Sequence, residues 1–257
     1  MKLRNLLLIG LAVLLWSLLV HAPAASVYAW LVPAGTPVQL SGVEGDLDQG
    51  KVQALALNGR PLLQNLRWSF QPWWLPLLRL SFHVEGGSPD LGFSGRAARV
   101  IGGFNLAGIE AQGGLKPLLG LAGVPFVPLD GRVRLDLSSL KLRGNFPSDA
   151  DGTLEAHGLA WALGQNPMPL GDFKATLSTV GPQAGTAGPN SIRAVIASVA
   201  GPLDASGEVH LQADRGYDYD LQLKAKDGAD PNLRNMLQSL GQPDTNGYYH
   251  LRNRGQL

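Results

Sequence analysis

Apolar and charged residues take turns along much of this chain. In Gly131-Arg132-Val133-Arg134-Leu135-Asp136-Leu137 every second residue is apolar and the residues between are charged. A period of two places Val133, Leu135 and Leu137 on one face of a pleated strand and the charges on the other. The same alternation runs through Gly152–His157, Gly207–Ala213 and Tyr217–Ala225, and more weakly through Gly247–Arg252. Arg215-Gly216 joins two of these runs and reads as a tight hairpin turn. Further strands are expected at Val38–Ser41, Val52–Leu57, Leu62–Phe70, Leu77–Val84, Arg96–Ala107, Asp172–Val180 and Ser191–Val199. Gly181–Asn190, rich in glycine and proline, reads as a loop.

One helix interrupts the strands near the end. Asp230 is placed to cap it and Pro231 suits its first position. Leu233, Met236, Leu237 and Leu240 share one face before Gly241 stops it. A second short helix near Leu115–Leu121 carries Pro117 inside it, which argues against it. Alternating strands with one wetted face form antiparallel rather than buried parallel sheets. Ten or more twisted strands must curl, close or split. With no helical layer to cover the apolar side, the expected fold is mainly β. It is a large, strongly curved, mostly antiparallel sheet, bent as a trough or a sandwich, with one short C-terminal helix. Strand order stays open, because a meander and a jelly roll share this local pattern. In a trough the apolar face could hold a lipid chain; in a sandwich it is simply core.

The start of the chain is different in kind. Leu6, Leu7, Leu8, Ile9, Leu11, Val13, Leu14, Leu15, Trp16, Leu18, Leu19 and Val20 fall in a charge-free run that follows Lys2 and Arg4, and the first acidic residue is Glu44. A basic start and such a run direct the rest of the chain out of the cytoplasm. Leu6–Val20 is shorter than the roughly 20 residues that span a bilayer, but it extends through Ala22 to Val32 past His21 and Pro23. Ala22-Pro23-Ala24 also has the small-x-small form of a leader cleavage site. Anchor and leader are therefore both open on the residues alone. Residues 1–32 form this segment and 33–257 the exported β-rich domain.

Composition narrows the chemistry. The chain has 21 basic and 20 acidic residues, so no strongly charged partner such as nucleic acid is expected. Cysteine is absent, which removes disulfides, thiolate metal sites and cysteine catalysis. His21, His83, His157, His210 and His250 show no metal-ligand spacing. The last three fall at polar strand positions, where a solvated side chain needs no chemical role. Gly92-Phe93-Ser94-Gly95-Arg96 lacks the glycine two residues after serine that a nucleophile elbow needs. Gly86-Gly87 and Gly102-Gly103 precede no helix that could cradle phosphate. Asp218 and Asp220 share a strand face, with no sequence feature to set their pKa values apart. No catalytic residue, cofactor or metal is expected.

Trp68, Trp73 and Trp74 cluster within Trp68–Leu78. Tryptophan favours both membrane surfaces and protein interfaces, so these three are the candidate interaction patch. The other reading is a core corner turned by Pro72 and Pro76, since alternation puts Trp68 and Phe70 on one buried face.

These features, in this order, resemble the type II secretion system protein N family, also called general secretion pathway protein N. The resemblance begins with the short apolar N-terminal segment and Val38–Gly50, then passes through Leu66-Arg67-Trp68-Ser69-Phe70-Gln71-Pro72. It resumes at Pro128-Leu129-Asp130-Gly131-Arg132-Val133 and Gly158-Leu159-Ala160-Trp161. It ends with Leu240–Asp244, Gly247–Leu251 and Gly255. Nearly the whole chain is covered, with no single sharp motif. Asp48 stands where the family commonly has a tryptophan before Gln-Gly. The resemblance implies an accessory component of the machine that exports folded proteins across the outer membrane. It further implies a single-pass inner-membrane anchor with the bulk in the periplasm, and contacts with inner-membrane and outer-membrane secretion components. The alternative is an envelope lipid-binding or lipid-transfer protein with an apolar β-groove, akin to AsmA-like proteins by fold analogy.

Overall fold

A computed structural model describes residues 23–24, 38–46, 48–57, 60–70, 80–100, 103–121, 127–143, 146–162, 167–181 and 190–256. The apolar run Leu6–Val20, His21, Trp73 and Trp74 lie outside these residues. Among the described residues no helix is long and apolar enough to cross a membrane.

Thirteen strands pair in chain order, each with its neighbours in the sequence, so the meander is the order adopted and the jelly roll is not. They are β1 (Val38–Gly45), β2 (Gln49–Leu57), β3 (Arg60–Phe70), β4 (Leu80–Ser88), β5 (Leu91–Val100), β6 (Gly103–Gly114), β7 (Leu129–Arg143), β8 (Phe146–Trp161), β9 (Met168–Val180), β10 (Ser191–Ala200), β11 (Leu203–Leu211), β12 (Gly216–Ala225) and β13 (Tyr249–Gln256). Two helices interrupt them, α1 (Leu115–Leu121) and α2 (Pro231–Gln238). One expected strand, Arg96–Ala107, is in fact two, because the chain turns back between Val100 and Gly103. The short helix near Pro117 does form. Proline is its third residue, where a missing N–H breaks no intrahelical bond.

The chain divides into two compact units. The first, Met1–Pro89 with Arg96–Ala98, contains β1 to β4. Among its described residues Val52 is fully buried, and Phe70 packs on Phe82 with ring centroids 5.3 Å apart.

The second unit, Asp90–Gly95 with Arg99–Leu257, holds β6 to β13 and both helices. Here the sheet coils. Cα atoms of β8 and β10 come within 8 Å, as do those of β9 and β11. In a flat sheet, strands two apart are separated by about 9.5 Å. Where β9 and β10 part, Gly171 and Gly201 lie close together: a Cβ on Gly201 would overlap the Gly171 Cα. Register shifts in β7–β8, β8–β9 and β9–β10 add bends.

Helix α2 packs on this unit. The Asp230 carboxylate accepts from the Asn232 N–H at 2.7 Å, Pro231 occupies the first turn, and Leu233 and Leu237 are 0% and 1% exposed. Leu240, expected on the same face, lies past the helix end and is 42% exposed. The buried cluster joins Leu233 and Leu237 to Leu170, Leu203, Ala205 and Ala229, with Trp161, Met168, Phe173, Leu223 and Tyr249 against it.

Candidate functional site

Cross-strand pairing in the second unit sorts side chains into unbroken rows. Leu135, Leu154, Ala175, Ile196, Gly207, Leu221 and Leu251 follow one another across β7 to β13. The neighbouring row on the same face is Leu137, Gly152, Leu177, Ala194, Val209 and Tyr219. A third is Thr179, Ile192, Leu211 and Tyr217. Rows in between are polar: Arg134, Glu155 and Lys174 align, as do Ser178, Arg193, His210, Asp218 and Arg254. One apolar and one polar face follow directly from the period of two.

The apolar face is not one uniform core. At one end α2 seals it. Between, from β8 to β13, Leu177, Ile196, Val209, Leu221 and Leu251 are only half-buried and Leu154 is 36% exposed. At the other end the paired tips of β7 and β8 reach to the start of β10 and the β11–β12 turn. Arg143, Phe146, Pro147, Ser148, Asp149, Asn190 and Ala213 line a cavity of about 170 Å³ there. The Arg215 guanidinium stands 5.8 Å from the centre of the Phe146 ring.

A polar network holds these tips. Asp149 is buried, and its carboxylate accepts from Ser148 Oγ at 2.7 Å, Asn190 Nδ2 at 2.8 Å and Lys141 Nζ at 3.3 Å. Burial pushes its pKa up, but these three donors outweigh burial and leave it below the ordinary value. Asp151 accepts from the Thr179 N–H at 2.9 Å and from Thr179 Oγ1 and Ser139 Oγ, both at 3.1 Å. The Thr179 N–H is the main reason its pKa is lowered. Where β8 leaves its register with β9, the Asp151 side chain thus takes the place of a backbone acceptor.

The polar face carries ion pairs that the sequence did not announce. Lys174 meets Glu155 at 2.9 Å, Arg252 meets Asp220 at 2.8 Å, and Arg193 forks onto Glu208 with Nε at 2.9 Å. His157 lies 3.7 Å from Glu155 and 3.9 Å from Asp172, His210 lies 3.4 Å from Glu208, and His250 lies 3.1 Å from Asp244. Cross-strand neighbours are legible only once register is known, which explains why the pairs were missed. Among the described residues no three ligating side chains gather as a metal site.

In the first unit, Trp68 of β3 is half-buried and lies over Gly50 of β2, its register partner. A Cβ at Gly50 would overlap the indole. Gln49, Arg67, Ser69, His83 and Glu85 complete a shallow cavity around this pair, about 240 Å³ in volume. Of the three tryptophans expected to form a patch, only this one is described.

Residues 36–252 match the family described as Type II secretion system (T2SS), protein N. The chain belongs to this family. Among its relatives, Type II secretion system protein N of Aeromonas hydrophila is 26% identical over 245 residues, covering 93% of each chain. The protein of the same name from Vibrio cholerae serotype O1 (strain ATCC 39315 / El Tor Inaba N16961) is 26% identical over 263 residues, covering 95% of each. No solved structure matches. Membership in the protein N family identifies the chain as an accessory component of type II secretion, and the β-rich units are the bulk of what the family match covers.

Proposed function

We propose that this chain is a periplasm-facing inner-membrane subunit of the type II secretion system that supports export of folded proteins by protein–protein contact. The observation that carries this reading is the family match over residues 36–252. Residues 1–32 are the single-pass anchor, with Leu6–Val20 in the hydrocarbon and Lys2 and Arg4 on the cytoplasmic side. Residues 33–257 face the periplasm and meet inner-membrane and outer-membrane secretion components. The protein acts without catalysis or a cofactor. Trp68, Trp73 and Trp74 are its interaction patch, since tryptophan is enriched where interfaces are tightest.

The absence of cysteine makes the topology directly testable. Ala197, exposed on β10, is replaced by cysteine and treated in intact spheroplasts with a membrane-impermeant maleimide. Labelling is expected without lysis. Labelling that needs lysis refutes the orientation. For the patch, Trp73→Ser with Trp74→Ser is expected to reduce co-purification of secretion components while the thermal midpoint stays within about a degree, as surface substitutions do. A large drop in the midpoint shows that these tryptophans are core.

A further inference from the structure

We propose that the half-buried apolar face of the second unit is a binding site for one glycerophospholipid, with its acyl chains on the β8–β13 rows and its phosphate at Arg143. The inference goes beyond the secretion role and does not depend on it.

Three observations carry it. The first is the chemistry of the face. Leu154, Leu177, Ile196, Val209, Leu221 and Leu251 form a continuous surface that remains partly open to solvent. This is a sheet face, not an edge, and its side chains offer no hydrogen bonds. An extended peptide laid on it would leave backbone groups unsatisfied, at a cost of several kcal/mol in an apolar setting. Hydrocarbon chains carry no such groups.

The second is length. The open stretch runs from the α2-sealed end, at Phe173 of β9, to Thr179, which belongs to the polar network at the tips. That is about 20 Å at roughly 3.3 Å per residue. One leaflet of a bilayer is about 15 Å of hydrocarbon. The face therefore accommodates the acyl region of a lipid along the strands and little more.

The third is charge at the open end. The cavity lined by Arg143, Asn190 and Ala213 lies at the end of the apolar rows, since Ala213 follows Leu211 by two residues in the β11–β12 turn. Among the described residues no ion pair or hydrogen bond engages the Arg143 guanidinium. The Asp149 carboxylate beside it is already saturated by Ser148, Asn190 and Lys141 and offset by the lysine charge. Asp151 is likewise taken by Ser139 and Thr179. A free guanidinium at the rim of an apolar hollow suits a phosphate, which arginine can hold with two parallel hydrogen bonds.

The test places a photoreactive benzophenone amino acid in the full-length chain, at Leu154 or Leu177 on the apolar face, or at Thr153 or Thr176 on the polar face. Cells are irradiated, and the purified chain is analysed by mass spectrometry. Adducts of phospholipid mass are expected at 154 and 177 and at least tenfold fewer at 153 and 176. Because all four positions lie in the same strands, lipid around the N-terminal segment contributes equally to each. Equal labelling of both faces, no lipid adduct, or a protein adduct alone at 154 and 177 overturns the site. Arg143→Glu is expected to reduce the adduct at Leu177 several-fold, and Arg143→Lys to retain most of it. An undiminished adduct in Arg143→Glu, or adducts of free fatty acid only, overturns the phosphate assignment. Circular dichroism matching the parent chain shows that each variant is folded, and a variant that fails this is replaced by Arg143→Gln, read in the same way.

Discussion

Leu233→Ala offers the sharpest test of how the second unit is held. Leu233 is 0% exposed and sits with Leu237, Leu170 and Leu203 where α2 closes the apolar face. Truncating a fully buried leucine removes its transfer energy and leaves a cavity, together about 2–5 kcal/mol. The upper part of that range is expected, because sheet residues from several strands converge on the site and the strands cannot collapse onto a short helix. For a unit of this size, 1 kcal/mol moves the thermal midpoint by about 2–4 °C. The expected shift is therefore about 7–20 °C. The assay is thermal unfolding of the full chain, paired with hydrogen exchange at Leu203 and Ala205, whose amides should exchange faster while those of β2 and β3 do not change. Leu240→Ala, at a side chain 42% exposed beyond the helix, is the matched control and should move the midpoint by less than a degree. If Leu233→Ala behaves like Leu240→Ala, or if exchange rises evenly everywhere, α2 is not the seal described above.

Other expectations follow from the coiled sheet and its network. Gly201→Ala should cost about 1–3 kcal/mol, since its Cβ overlaps the Gly171 Cα, both neighbours are backbone, and Gly201 has φ +110°; a neutral midpoint would show that the two segments part without penalty. Asp151 is more acidic folded than unfolded, so its contribution is complete above the unfolded value of about 3.9 and is lost as pH falls through the lower folded value. Urea unfolding between pH 6 and pH 3 should show stability declining toward acid, and Asp151→Asn should flatten that decline; parallel pH profiles would contradict the assignment.

The strand alternation was legible because it needs only the pleat: Val133, Leu135 and Leu137 read inward from sequence and lie on the apolar face. The cap at Asp230 and the proline after it were equally local. What failed was local in a different way. Arg96–Ala107 reads as one strand, although β5 ends at Val100 and β6 starts at Gly103. Leu240 fits the helical period but falls after the C-cap at Ser239. The Arg215-Gly216 turn was found, yet the left-handed residue is Arg215, φ 70°, with the Asp214 carboxylate accepting from the Gly216 N–H. Nothing in the sequence could reveal the cavity at Arg143, because it joins residues of β7 and β8 with Asn190 before β10 and Ala213 in the β11–β12 turn, which meet only after the sheet coils. The half-open state of the apolar face was likewise invisible, since a period of two says which side is oily and not what covers it.

The strict chain-order pairing has a consequence for how the molecule comes into being. No strand has to wait for a partner made much later; the longest interval, which α2 fills, lies between β12 and β13. Contacts between successive hairpins are close in sequence, which keeps the entropic cost of each step small and favours quick assembly. A chain emerging from its N-terminus can therefore zip up strand by strand as it appears. The end of its oily side that α2 covers stays unguarded until Leu233 and Leu237 arrive, and that interval is when such a polypeptide most needs an escort.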